Sequence, residues 1–246
     1  MRSGNPIISL EDVAMSYKIR NRRLRNERHE KPALRSINLN LWRGETIGII
    51  GRNGAGKSTL LRIIAGIIEP DSGIVTRNHV SIRLLGLNLG FIPSLSGYDN
   101  AILGGLILGL RRKEIEAMVP EIAEFAELEQ ALHNPLRTYS SGMRTRLAFS
   151  IAVSVPADVL LLDELMGVGD VAFRKKSGEK LRSMINSDLS CVIVSHSNEI
   201  ITEMCSRIVW VEHGETIAEG PTEEILERYE AAMLAGPSQP APVPGR

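Results

Sequence analysis

Cysteine is scarce in this chain. Among its 246 residues only Cys191 and Cys205 occur, without CxxC spacing, so neither a disulfide framework nor a thiolate metal site is expected. No apolar stretch of signal-peptide type opens the sequence, and the expectation is a reduced, cytosolic protein. The longest apolar runs, Leu84 to Ile92 and Ala101 to Leu110, are interrupted by glycine. They fall far short of the ~18–20 residues needed to cross a bilayer, which argues against an integral membrane protein. Net charge is also missing: 29 Lys and Arg balance 29 Asp and Glu. No global pull toward nucleic acid or an anionic membrane follows, and any electrostatic effect must be local.

A 43% hydrophobic content is present, enough for a substantial core and against a disordered or fibrous chain. Three short apolar runs each stop at a polar cluster: Thr46 to Ile50, Val159 to Leu162 and Val192 to Val194. Such runs suit central strands of a parallel sheet covered on both faces. Between the first two, Ser58 to Ile68 has helical periodicity and is expected to end at Pro70 and Gly73. Ile7 to Tyr17 and Leu34 to Leu41 alternate as antiparallel strands do. The segment from about 94 to 155 reads as helical. The expected fold is therefore α/β: a parallel core, an antiparallel β subdomain and a helical subdomain. Lys18 to Lys31 holds seven Lys and Arg against Glu27 and Glu30, a local charge of +5, and is read as a loop or short helix projecting from the antiparallel sheet. Residues 236–246, with Pro237, Pro240, Pro242 and Pro244, are read as a disordered tail. The expected organisation is one domain over residues 1–235, with a basic insertion at 18–31.

Chemistry collects at the strand ends. After Ile50 comes Gly51-Arg52-Asn53-Gly54-Ala55-Gly56-Lys57-Ser58-Thr59, which fits G-x-x-x-x-G-K-[ST] without mismatch. Its glycines let successive backbone N–H groups turn inward toward phosphate oxygens, and the following helix adds its positive end. Lys57 is expected to reach the β- and γ-phosphates and Ser58 to hold Mg²⁺. The second run ends Asp163-Glu164. Ligands gather at the carboxyl ends of parallel strands, so Asp163 suits a water-mediated Mg²⁺ contact and Glu164 suits polarising the water that attacks the γ-phosphate. The third run ends Ser195-His196, where a neutral imidazole would donate one hydrogen bond to that phosphate. The bland readings are a Gly-rich turn, a solvated acidic turn and a structural histidine. Convergence of three strand ends weighs against them.

The phosphate loop, Tyr139-Ser140-Ser141-Gly142-Met143, Leu162-Asp163-Glu164, Val168-Gly169-Asp170 and His196 follow one another in the order of the ATP-binding subunit of ABC transporters, which the chain resembles over about residues 7–230. The resemblance implies a P-loop NTPase (RecA-like) core, binding of ATP with Mg²⁺, and hydrolysis. It makes Ser140, Ser141, Gly142 and Met143 an LSGGQ-type signature that meets the γ-phosphate of a second copy in a head-to-tail ATP-sandwich dimer. Tyr replaces the first Leu of that signature, Ser the first Gly and Met the Gln. It also implies that Tyr17 stacks on adenine, its lesser alternative being a strand-end tyrosine, and that Asp170 couples the two sites, although Asp170 reads equally as a helix N-cap. The Gln that the family carries after the next core strand is missing, since the only glutamines are Gln130 and Gln239. Asn88 is the one amide in that loop.

Leu89-Gly90-Phe91-x-Pro93-x-Leu95-Ser96-Gly97-Tyr98-x-Asn100, Leu106 to Leu110 and Val168 to Phe173 look like the polysaccharide and O-antigen exporter branch. That resemblance implies an ATPase at the cytoplasmic face of the inner or plasma membrane, driving export of a lipid-linked glycan through a separate transmembrane permease. Some members of the branch carry an added carbohydrate-binding domain; only 26 residues follow Gly220 here, and none is expected in this sequence. A lipid or drug exporter subunit and a soluble non-transport ABC ATPase remain as alternatives. No nucleic-acid partner is expected, and the basic segment 18–31 is open either to solvent or to anionic lipid and lipid-diphosphate groups.

Overall fold

The computed structural model describes residues 5–20, 28–85, 90–163, 170–185, 189–195 and 197–234. The three apolar runs form β3 (Thr46–Ile50), β6 (Val159–Asp163) and β7 (Ser190–Val194). Every residue of β3 and β7 is buried, which is why these strands read as continuous hydrophobic runs. They pair in parallel with each other and with β5 (Ile82–Leu85) and β8 (Arg207–Glu212). The sequence reading missed β8 because Arg207 begins its run. The fold can bury that guanidinium because it bonds Glu45 at 2.9 Å and Glu219 at 2.9 Å. Glu219 lies on β9 (Glu215–Pro221), whose residues alternate between exposed and half-buried as it pairs antiparallel with β8.

β1 (Ile8–Arg20), β2 (Arg28–Leu41) and β4 (Ser72–Arg77) make the antiparallel region. It joins the rest of the sheet through a single pair, Ser36 of β2 with Glu215 of β9, giving one nine-stranded sheet in the order β4-β1-β2-β9-β8-β3-β7-β6-β5. Here the structure corrects the reading of the basic segment. Lys18 pairs with Glu30, Ile19 with His29 and Arg20 with Arg28, so both flanks are strand rather than loop or short helix. The segment has no strand-like composition, but a cross-strand partner supplies its backbone hydrogen bonds and overrides weak local preference. Residues 21–27, the middle of the segment, lie outside the described residues, as does the tail from 235.

A second correction concerns the first helix. α1 spans Lys57–Ile64, not Ser58 to Ile68. Gly66 takes a left-handed φ of 71°. Its N–H bonds the Ile63 carbonyl while Ile67 N–H returns to Arg62, the C-terminal pattern that stops a helix and frees Ile67 and Ile68 from it. The expected helical segment is α2 (Gly97–Ile107), α3 (Arg112–Ala126), a short 3-10 turn at Leu136–Thr138 and α4 (Ser141–Ser154). Ile115, Val119, Ile122, Leu147 and Ile151 form its own apolar core. α5 (Val171–Ile185), α6 (Asn198–Met204) and α7 (Thr222–Leu234) complete the chain's described helices. Phe173 and Leu181 of α5, Ile201 of α6 and Ile225 of α7 share a second core with one face of the parallel strands.

Candidate functional site

The loop after β3 is shaped by close approach. A Cβ at Gly51 would lie 1.9 Å from the Val211 carbonyl oxygen, and one at Gly56, whose φ is 107°, would lie 2.5 Å from the Ala33 carbonyl oxygen. Only glycine fits at either position. Gly56 is also the N-cap of α1, without a side-chain cap and with no acidic residue in the first turn. Neither a capping side chain nor a first-turn carboxylate therefore competes at the positive end of α1, which suits anion binding.

Lys57 is buried and donates to the Gly51 carbonyl at 2.7 Å and the Arg52 carbonyl at 3.1 Å. Its ammonium is thereby held across the mouth of the loop. A cleft of about 380 Å³ opens in front of it, lined by Asn53, Gly54, Gly56, Lys57, Ser58 and Thr59 on one wall and Tyr17, Lys31, Pro32 and Ala33 on the other. Ala55 lies buried behind the loop. The turn between β8 and β9 clamps the walls together: Gly214 N–H donates to Ala55 O at 3.1 Å, and Gly214 O accepts from Arg35 N–H at 2.7 Å. Tyr17 is 37% exposed. Its hydroxyl lies 3.3 Å from Thr59 Oγ1, so the ring stands at the cleft mouth where a planar base would stack.

Asp163 is half-buried at the end of β6. Asp163 and Ile49 both pair with Val194, so Asp163 stands level with the end of β3, about 10 Å away across two strand spacings. Ser195, next along β7, emerges between them. Glu164, His196 and Asn88 lie outside the described residues, as do Val168 and Gly169.

The signature segment is elsewhere. Ser140 is the N-cap of α4, and its hydroxyl accepts from Met143 N–H at 3.1 Å. Ser140 and Ser141 are exposed, Gly142 and Met143 half-buried, and none of the four lines the cleft. Tyr139, in the place of the expected Leu, is buried and donates its hydroxyl to Ala131 O at 2.7 Å; burial pushes its phenol pKa up. Asp170 caps α5, accepting from Phe173 N–H at 2.9 Å, and pairs with Arg146 of α4 at 3.3 Å. The Phe173 amide, helped by Arg146, holds its carboxyl below the ordinary range. The N-cap reading of Asp170 is the one the geometry displays, and the tie to Arg146 joins the α4 lobe to α5.

Asn100, part of the exporter-like run, is completely buried. It accepts from Ile92 N–H at 2.8 Å and donates to the Ser96 carbonyl at 2.8 Å, fixing residues 92–97 at the head of α2. The sequence reading missed Lys31, Pro32 and Ala33 as cleft residues, because they reach it only through the β1–β2 register. It also missed Gly214, which nothing local marks.

Residues 34–167, more than half of the chain, match the ABC transporter family. The chain belongs to that family. Among its relatives is the O-antigen export system ATP-binding protein RfbB of Myxococcus xanthus, 38% identical over 252 residues, covering 95% of this chain and 58% of that protein. This chain thus spans well under two thirds of that relative's length. The teichoic acids export ATP-binding protein TagH of Staphylococcus epidermidis is 37% identical over 235 residues, covering 92% of this chain and 89% of that protein. A solved ATP-binding cassette, a dimer in a post-hydrolysis state with ADP and phosphate, superposes with a TM-score of 0.72 at 23% identity over 87% of this chain and 98% of its own. That likeness bears on the fold.

Proposed function

We propose that residues 1–235 form the ATP-hydrolysing subunit of a transporter that exports a lipid-linked polysaccharide, such as an O-antigen-like, capsular or cell-wall glycan. The observation that carries the ATPase reading is the cradle of Gly51 to Thr59 with Lys57 pinned across it, facing the Tyr17 cleft. The cargo follows from the export-system names of RfbB and TagH.

Tyr17 stacks the base, and the loop amides with Lys57 hold the terminal phosphates. Ser58 and Asp163 fit Mg²⁺: both donors are oxygen, and this ion takes only one or two protein ligands beside phosphate and water. When bound, the ion neutralises phosphate charge. Glu164 polarises the attacking water and His196 donates to the γ-phosphate. Ser140 to Met143 serve a second copy, docked head to tail, because in their own chain they lie away from the cleft.

No described helix is long and apolar enough to cross a membrane. The export-system names of RfbB and TagH support a glycan path through a separate permease, with this subunit at its cytoplasmic face. Ile92, Leu106 and Ile107, exposed by 42%, 43% and 58%, present apolar surface at the helical lobe that suits such a partner. The arginines of the basic segment 18–31 meet anionic lipid or the diphosphate of the glycan carrier.

Lys57→Ala tests the reading in cells. Surface glycan is expected to disappear while lipid-linked polymer accumulates inside. Unchanged surface glycan, with the variant expressed and folded, overturns the export function.

A further inference from the structure

The nucleotide cleft has a second cation that the phosphate-loop motif does not include. Lys31 lies on β2 directly opposite Tyr17 in the antiparallel register, and opposed residues in such a pair project from the same face. Both line the cleft. The backbone two residues on is fixed against the phosphate loop, since the Ala33 carbonyl is what excludes a Cβ at Gly56. Lys31 therefore stands at a set distance from the loop rather than on a free strand end. Its side chain makes no ion pair or hydrogen bond among the described residues. Glu30, the adjacent acid, pairs with Lys18 in the register, and alternation along the strand directs it to the opposite face.

Position along the cleft decides what this ammonium meets. Lys57 is held by the Gly51 and Arg52 carbonyls on the loop wall, the terminal-phosphate side in the reading above, whereas Tyr17 and Lys31 share the other wall, the side of the base in that reading. We propose that Lys31 is a nucleotide-recognition residue whose ammonium contacts the phosphate next to the ribose, supplementing the phosphate-loop amides from the opposite wall. This rests on the nucleotide-binding reading above. The contact is made to ADP and ATP alike, so it strengthens ground state and transition state equally.

Binding of ADP and ATP to the full chain, measured for the wild type, Lys31→Gln and Lys31→Arg at several salt concentrations, tests it. Lys31→Gln is expected to weaken both nucleotides by about five-fold, the size of one exposed charged contact. Lys31→Arg should stay close to the wild type. The salt dependence of binding should become shallower in Lys31→Gln only, because a screened charge pair has been removed. In turnover, KM for ATP should rise with kcat unchanged. Wild-type affinity in Lys31→Gln, equal losses in the Gln and Arg variants, or a loss with unchanged salt dependence each overturns the assignment. A folded wild type that binds neither nucleotide would instead overturn the nucleotide reading itself.

Discussion

Two helices of this chain begin at serine- and glycine-rich motifs, and they begin differently. α1 starts from Gly56 in a left-handed conformation with no side-chain cap and no acid in its first turn, and Gly56, Lys57, Ser58 and Thr59 line the cleft. α4 starts from Ser140 in an extended conformation, and the Ser140 hydroxyl already takes the Met143 amide. At the signature end the Met143 amide is taken by Ser140, and no residue from Ser140 to Met143 lines the cleft. One motif faces the cleft of its own chain and the other lies away from it, as the proposed head-to-tail pairing of copies requires.

The strongest way to sharpen this contrast is to stall the chemistry with both ends intact. Glu164→Gln should keep nucleotide binding, lower turnover by ~10²–10⁴-fold and trap the closed dimer. ATPase assays with size-exclusion chromatography check it, and normal hydrolysis would remove Glu164 from the role of base.

Alanine in place of each motif's glycine probes the contrast directly. Gly56→Ala incurs backbone strain of about 1–2 kcal/mol from its left-handed φ. The added methyl also meets the Ala33 carbonyl at 2.5 Å, so nucleotide binding should be lost. At Gly142 the methyl would find only Ser140 Oγ, at 3.8 Å. Gly142→Ala should therefore leave the fold and nucleotide binding of the single chain intact, raise stability by up to ~1 kcal/mol, and reduce hydrolysis by crowding the partner's phosphate. Calorimetric binding, thermal unfolding and ATPase rates separate the two. Equal binding defects would dissolve the comparison.

The smallest effect concerns the cap. Ser140→Ala should cost about 1 kcal/mol of stability through the lost bond to Met143 N–H, read by denaturant unfolding. Unchanged stability would mean that this hydroxyl is not committed to its own helix.

The phosphate loop was legible in the sequence because it is one contiguous run whose glycines have a local cause. β3, β6 and β7 were legible because strands covered on both faces admit little but apolar residues. β8 was not, since Arg207 at its head looks like a surface residue until Glu45 and Glu219 close around it. β9 was not, because its residues alternate between exposed and half-buried and bury little. The end of α1 was misplaced, because apolar periodicity runs on through Ile67 and Ile68 while Gly66 has already turned the chain.

By itself, the sequence determined the candidate chemistry of the phosphate-loop end: which amides can cradle phosphate, which lysine spans them, and which strand carries acids to the same edge. These depend on neighbours a few residues apart, whose effect on backbone geometry is local. The tertiary structure alone decided how the cleft is walled. Lys31 lines the cleft only because β1 and β2 pair in one register. Gly214 secures both walls only because the β8–β9 turn arrives there. The Ser140 hydroxyl is committed to its own helix only once α4 has formed. Contacts between residues far apart in the chain leave no local trace, because the close packing that brings them together exists only after the sheet is assembled.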